Sequence, residues 1–253
     1  MNQATPEAEQ RNPADSLMVE ADGQWPDAVI FDFNGTLSND ESVLLQVFTE
    51  LFALHLGWSM DESYYQRFFL GRSDRETIEG AVAMIRAPDV ELVDCLLNER
   101  RLRYRELVAE TSTIPAQAED LVHRLEAAEV PLAIVTGAQR ADVDFVLSLS
   151  GIAGSFRSVV CQDDVTVGKP DPQGLRLATA ALGVDPRRQS VVVLEDSVPG
   201  ARAAVAAGMR CVGVLGSCDR AVLAPEVETV VDNLDLDVLP ILLRGAGRRP
   251  EWP

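Results

Sequence analysis

A run of β-forming apolar residues, AVIF, ends in Asp32, and a tight turn carrying Asn34, Gly35 and Thr36 follows. A strand that delivers a carboxylate to a turn offers a nucleophile or a metal ligand beside free backbone N–H groups. Three other stretches have the same character. Thr136 and Gly137 follow the apolar run PLAIV and precede a helix start. Lys169 stands in TVGKPDP, and Glu195 and Asp196 close VVVLED. Of 22 basic residues 21 are arginine, so Lys169 is the only lysine in the chain. Its ammonium is a compact point charge that suits one phosphate oxygen or a carboxylate nucleophile. The plainer reading is a lysine kept by chance where either cation would serve; the flanking Gly168 and Pro170, which shape the loop, weigh against it. Asp32, Glu195 and Asp196 brought to one edge would repel one another without a hard cation among them. Mg²⁺ takes such oxygen ligands, usually one or two carboxylates with waters and a phosphate. The competing reading makes Asp196 the N-cap of a helix starting at SVPG.

The elements that must carry these residues are legible as short apolar runs: 27–33, 131–136, 157–161, 190–195, 210–215 and a weaker 228–232. They are β-branched and apolar on both faces, as in a parallel sheet covered on both sides. Helical patterns over 117–129, 171–183 and 198–208 lie between the later runs, and the last two end in glycine. Strands alternating with helices predict an α/β fold, a Rossmann-like doubly wound parallel sheet. In such sheets ligands bind beyond the carboxyl ends of the strands, where all four stretches fall. From about Ser38 to Thr113 no strand pattern appears; helical patterns over 41–57, 61–71, 73–85 and 88–108 fill the gap. The expected organisation is a polar disordered tail over 1–24, a core made of 25–38 and 114–240, an inserted all-helical cap over 39–113, and a frayed tail over 241–253.

With 47 % hydrophobic residues the chain can bury a real core. Its net charge of −18 repels phosphate backbones and anionic lipids, which argues against nucleic-acid or membrane partners. The first 24 residues lack the apolar stretch of a signal peptide. Four scattered cysteines without CxxC spacing read as reduced, placing the protein in the cytoplasm, with Cys95, Cys161 and Cys211 as packing residues. His55 and His123 fall in different helical patterns, so a histidine-based site has little support. The expected assembly is a monomer or weak dimer.

FDFNGTL, IVTG, GKPDP and LEDSVPG resemble, in order, the four motifs of the haloacid-dehalogenase-like hydrolase superfamily, over about Pro26 to Leu239. EDSVPGARAAVAAGM is similar to its β-phosphoglucomutase and phosphoglycolate-phosphatase branch, and the helical block sits where that superfamily carries a cap. The resemblance implies a phosphatase of a small phosphorylated metabolite. Asp32 would be the nucleophile, forming an aspartyl-phosphate. Thr136 and Lys169 would hold the phosphoryl oxygens, aided by backbone N–H groups around Gly35 and Thr36 and after Gly137. Mg²⁺ would be held by Asp32, the main-chain carbonyl of Asn34, and Asp196, with Glu195 adjacent.

Asn34 departs from that pattern. The resemblance implies an aspartate here, which protonates the leaving oxygen and then activates water. An amide does neither, and such help is typically worth about 10²–10⁴ in rate. Four readings follow. One is a phosphatase with reduced rate, or with a good leaving group, or with a neighbour such as Asp40 or Glu41 supplying the proton. The second is a non-catalytic phosphate-binding or regulatory protein. A dehalogenase or a phosphomutase is a further alternative, although the Glu195–Asp196 pair argues against the metal-free dehalogenase. A phosphonate-cleaving relative would need a cap lysine, and none is present. In the cap, FFLGRSDRET places Arg72, Ser73 and Arg75 as substrate contacts, with Ser73 equally a helix N-cap in a capping box with Glu76. The basic run Arg100, Arg101, Arg103 and Arg105 reads as a solvated helix face.

Overall fold

The computed structural model describes residues 24–70, 72–110 and 112–243. The tails over 1–23 and 244–253 lie outside the described residues. Six strands make one parallel sheet: β1 (Ala28–Phe31), β2 (Leu132–Val135), β3 (Ser158–Val160), β4 (Val191–Glu195), β5 (Arg210–Val214) and β6 (Thr229–Val231), in spatial order β3-β2-β1-β4-β5-β6. The apolar runs form strands because both their faces are covered. In β1, Val29 and Phe31 join one core while Ala28 and Ile30 join another; β4 divides the same way, Val192 and Leu194 against Val191 and Val193.

The covering helices come from the connections. On one face α5 (Ala116–Ala127) buries Leu121 and Leu125 and α6 (Arg140–Ser148) buries Val143 and Val146; on the other α7 (Gln173–Leu182) buries Leu175 and α8 (Val198–Ala206) buries Ala201 and Ala204. From β1 the chain steps outward through β2 to β3, then returns to β4 on the opposite side of β1. That reversal opens a crevice at the carboxyl edge between β1 and its neighbours. This is the Rossmann-like α/β fold expected from the alternation.

Between β1 and α5 the chain forms α1 (Glu41–Leu56), α2 (Glu62–Phe68), α3 (Asp74–Ile85) and α4 (Val90–Glu110), with no strand among the described residues. Phe48 and Phe52 of α1, Ile78 of α3 and Leu96 of α4 are buried together. Trp58 stacks on Phe52 at 5.7 Å, and Tyr64 meets both Trp58 and Phe69, so these aromatics pack the helices. The two crossings into this segment are tied side by side: the Asn39 N–H donates to the Thr113 carbonyl at 2.7 Å and the Ser38 hydroxyl to Thr113 Oγ1 at 2.8 Å.

After β5 come α9 (Arg220–Leu223) and, after β6, α10 (Leu239–Leu242). The last runs across the expected boundary at 240 because Leu242 is buried. Cys161 and Cys211 are buried as expected, but Cys95 is exposed: it falls on the outward side of α4. No helix among the described residues is long and apolar enough to cross a membrane.

Candidate active site

The crevice holds the polar residues that end the strands. Asp32 directly follows β1, and its N–H still donates to the Leu194 carbonyl at 2.9 Å, so the sheet register carries it beside the end of β4. Its carboxylate is buried and accepts a hydrogen bond from Lys169 Nζ. The same ammonium donates to Glu195 Oε2 at 2.7 Å. Glu195 ends β4 and its other oxygen accepts from the Ser197 N–H at 3.0 Å and hydroxyl at 2.6 Å. Gly200 makes this possible: a Cβ there would stand 1.9 Å from Glu195 Oε2. Ser197, not Asp196, is the N-cap of α8, its side chain accepting from the Gly200 N–H. Asp196 is thereby released toward the crevice.

Asp32, Glu195 and Asp196 each offer a carboxylate oxygen within 4.8 Å of the others. The charges conflict as expected. Burial and the Glu195 carboxylate, with a smaller part from Asp196, push the Asp32 pKa well up against the pull of Lys169. Burial and Glu195 push Asp196 up to about 7. Burial opposes the charge on Lys169, yet the Asp32 and Glu195 carboxylates overcome it and raise its pKa. Asp196 Oδ2 also accepts from the N–H of Ser217 at 2.7 Å and from its hydroxyl. Ser217 was not singled out in the sequence; its one signal is a Gly-Ser turn at the end of an apolar run. Gly35 lets Asp196 approach: its φ is +75°, and a Cβ would meet Asp196 Oδ2 at 2.0 Å.

A cavity of about 600 Å³ opens over this cluster. Asp32, Asn34, Thr136, Gly137, Lys169 and the acidic pair line it from the sheet edge. The Thr136 hydroxyl accepts from the Ala138 N–H at 3.0 Å, which shapes the turn after β2. Gly35 and Thr36 stand back from the cavity; their N–H groups close the turn itself, onto the Ser38 and Phe33 carbonyls at 2.8 and 3.3 Å. The helical segment lines the other side, with Glu41, Tyr65, Arg72, Ser73 and Arg100 among its residues there. Ser73 makes its capping box, donating its N–H to Glu76 Oε2 at 3.0 Å, while Arg72 is exposed on the cavity wall. Arg75 also lines the cavity, and its guanidinium pairs with Asp94 at 2.9 Å and with Glu79.

Arg100 overturns the reading of its run as a solvated face. It is 3 % exposed, ion-paired with Asp142 on α6 and with Asp74 at 3.2 Å, and lies over the Tyr104 ring at 4.5 Å. Arg103, by contrast, is on the surface with Glu50 at 2.8 Å. Asn34 donates its amide N–H to Asp40 Oδ2 at 2.7 Å, and the Tyr104 hydroxyl donates to the same oxygen. Glu41 accepts from the Tyr65 hydroxyl at 3.0 Å.

A strand-end carboxylate held by one ammonium within a buried carboxylate cluster lies at the switch point of a doubly wound sheet, with helices over the crevice. Residues 26–208 match the haloacid dehalogenase-like hydrolase family, and the chain belongs to that family. It is 32 % identical to the validoxylamine A 7'-phosphate phosphatase of Streptomyces hygroscopicus subsp. limoneus, covering 81 % of this chain and 92 % of that one. It is 29 % identical to a phosphoglycolate phosphatase of Mesorhizobium japonicum, over 87 % of this chain and 97 % of the relative. Among solved structures, CbbY from Rhodobacter sphaeroides in complex with phosphate superposes with a TM-score of 0.74 at 27 % identity, covering 83 % and 96 % of the two chains.

Proposed function

We propose that this hydrolase is a Mg²⁺-dependent phosphatase of a small phosphorylated metabolite, acting through an aspartyl-phosphate on Asp32. The observation that carries the reading is Lys169 Nζ seated between Asp32 and Glu195, with Asp196 in the same cluster. The phosphatase names of the relatives and the phosphate in the CbbY structure support it.

The donor set fits Mg²⁺: it is all oxygen, buried, and carries more negative charge than one ammonium offsets. Asp32, Asp196 and the main-chain carbonyl of Asn34 would hold the ion, with Glu195 adjacent. A bound Mg²⁺ would supply charge neutralisation at the phosphoryl oxygens. The chain's own residues do the rest. Lys169 draws Asp32 toward its ionised form against burial and Glu195, and places an ammonium beside the reacting phosphorus. Thr136 and the backbone after Gly137 take phosphoryl oxygens. The helical segment acts as the cap, excluding water and presenting Arg72 and Ser73 to the substrate. The cavity is large enough for a polyhydroxylated monophosphate, and its aromatic lining among the described residues is Phe48 and Tyr65.

Phosphate release with Mg²⁺ over a panel of phosphorylated metabolites tests this reading. The chain is expected to turn over at least one, and Asp32→Ala to abolish it. Release that persists in Asp32→Ala would refute the reading. A chain that binds phosphate but releases none, while Asn34→Asp turns over, would favour the binding or regulatory alternative.

A further inference from the structure

We infer that Glu41 is the proton-transfer group of this site, in place of the acid that Asn34 does not provide; this rests on the phosphatase reading above. Asn34 has no titratable proton, and its amide is committed to Asp40. Asp40 itself is sealed away: it is fully buried, does not line the cavity, and the oxygen facing Asn34 also receives the Tyr104 hydroxyl. The other cavity carboxylates of the helical segment are taken. Asp74 pairs with Arg100 at 3.2 Å, Glu76 closes the capping box with Ser73, and Glu79 pairs with Arg75. Glu41 lines the cavity, is only half-buried, and has a neutral partner, the Tyr65 hydroxyl at 3.0 Å. It begins α1, directly after the sealed Asp40, at the junction between the strand that bears Asp32 and the helical segment.

Its surroundings suit an acid at neutral pH. Burial raises its pKa first, then the Asp40 charge, with smaller contributions from Asp32 and Asp74, and the Tyr65 hydrogen bond opposes them; the result is about 7. Asp196 feels its charge in turn. A carboxyl half-protonated at working pH can both give and take a proton.

The step balances without another reactant. Asp32 forms an O–P bond as the P–O bond to the leaving alcohol breaks, and the departing oxygen takes the Glu41 proton. Glu41, now a carboxylate, then accepts a proton from water as that water attacks phosphorus and the Asp32–phosphorus bond breaks. Phosphate leaves, and Asp32 and protonated Glu41 are restored.

The test is steady-state phosphate release across pH, with Mg²⁺, on the best alkyl phosphate of the panel, for the chain, Glu41→Gln, Glu41→Asp, Asn34→Asp and the Asn34→Asp/Glu41→Gln pair. Glu41→Gln is expected to lower kcat by about 10²–10⁴ with little change in KM and to remove the limb of the profile near neutrality. Glu41→Asp should retain part of the activity, which separates lost proton transfer from lost folding. In the double variant the new carboxylate at position 34 should restore turnover above that of Glu41→Gln alone. On p-nitrophenyl phosphate, whose leaving group needs no proton, the Glu41→Gln defect should shrink. A Glu41→Gln enzyme within threefold of the parent and with the same pH profile would overturn the inference. So would a parent chain that is silent while Asn34→Asp turns over, a result that would also favour the binding or regulatory alternative. Turnover surviving in Asp32→Ala would instead remove the phosphatase reading itself.

Discussion

Lys169 and Asn34 show how single side chains set this site. The ammonium of Lys169 meets two carboxylates that face it from adjacent strands, and only 17 % of its side chain is exposed. A guanidinium is broader and planar, and it cannot occupy that space as a point charge. Lys169→Arg is therefore expected to cut kcat/KM at least a hundredfold while thermal stability changes little, a contrast that parallel kinetics and melting curves will show. Asn34 has an equally local reason. Its amide donates to Oδ2 of the buried Asp40 at 2.7 Å, where a second carboxylate would face a like charge. Burial raises the Asp40 pKa although Tyr104 and Asn34 stabilise its charged form. Asn34 is thus matched to its neighbour.

At the scale of elements, α4 joins the helical segment to the sheet. Arg100 reaches Asp142 on α6 and Asp74 on α3 in a setting where each side chain is at most 13 % exposed. Arg105 adds a hydrogen bond to the Ala141 carbonyl of α6. Removing one partner of a buried pair leaves a charge without compensation, which typically costs about 3–5 kcal/mol. Arg100→Met is expected to lose stability of that order in urea titrations, with Arg100→Met/Asp142→Asn recovering part of it. Arg103→Met, which breaks only exposed pairs with Glu50 and Glu106, should lose far less. Equal losses for the two arginines would contradict the assignment of α4 as the joining element. Because Arg100 also lines the cavity, its loss should raise KM as well.

At the scale of the whole molecule, the acidic cluster links stability to pH, and a divalent cation held there would enter the same linkage. Asp196 has a pKa raised from the ordinary aspartate range to about 7, and Asp32 is shifted in the same direction. For a carboxyl raised on folding, the favourable contribution is complete below the unfolded pKa near 4 and is lost as pH rises through about 7. The cation-free protein should therefore weaken between about pH 4 and 8, by on the order of 4 kcal/mol at most from Asp196. A cation that binds the ionised carboxylates reverses this loss. The rise in Tm on adding Mg²⁺ is expected to be larger at pH 8 than at pH 5, and to vanish with a chelator. An equal rise at both pH values would show that the ion binds elsewhere. The net charge of −18 works in the same direction, since screening relieves repulsion generally; a KCl control of matched ionic strength separates the two effects.

The sheet and its helices were readable because parallel strands buried on both faces leave an uninterrupted apolar, β-branched signal, as in VVVL before Glu195. Asp32, Lys169, Glu195 and Asp196 were readable for the complementary reason: each is a polar break at the end of such a run, or a unique residue type in a glycine-proline loop. Arg100 was not readable, because a buried arginine and a solvated one have the same local pattern in RRLRYR, and only the approach of Asp142 from α6 distinguishes them. Asp40 and Glu41 were both legible as neighbours that could supply a proton, but the sequence does not choose between them; the burial of Asp40 and the placing of Glu41 on the cavity beside Tyr65 do. What the sequence determined by itself was the identity, order and strand-end placement of the groups that can do chemistry, since these follow from local periodicity and turn chemistry. The tertiary structure alone decided which groups meet: Lys169 reaches Asp32 across 137 positions, and burial, which sets their charges, exists only once the sheet and the helical segment have closed over them.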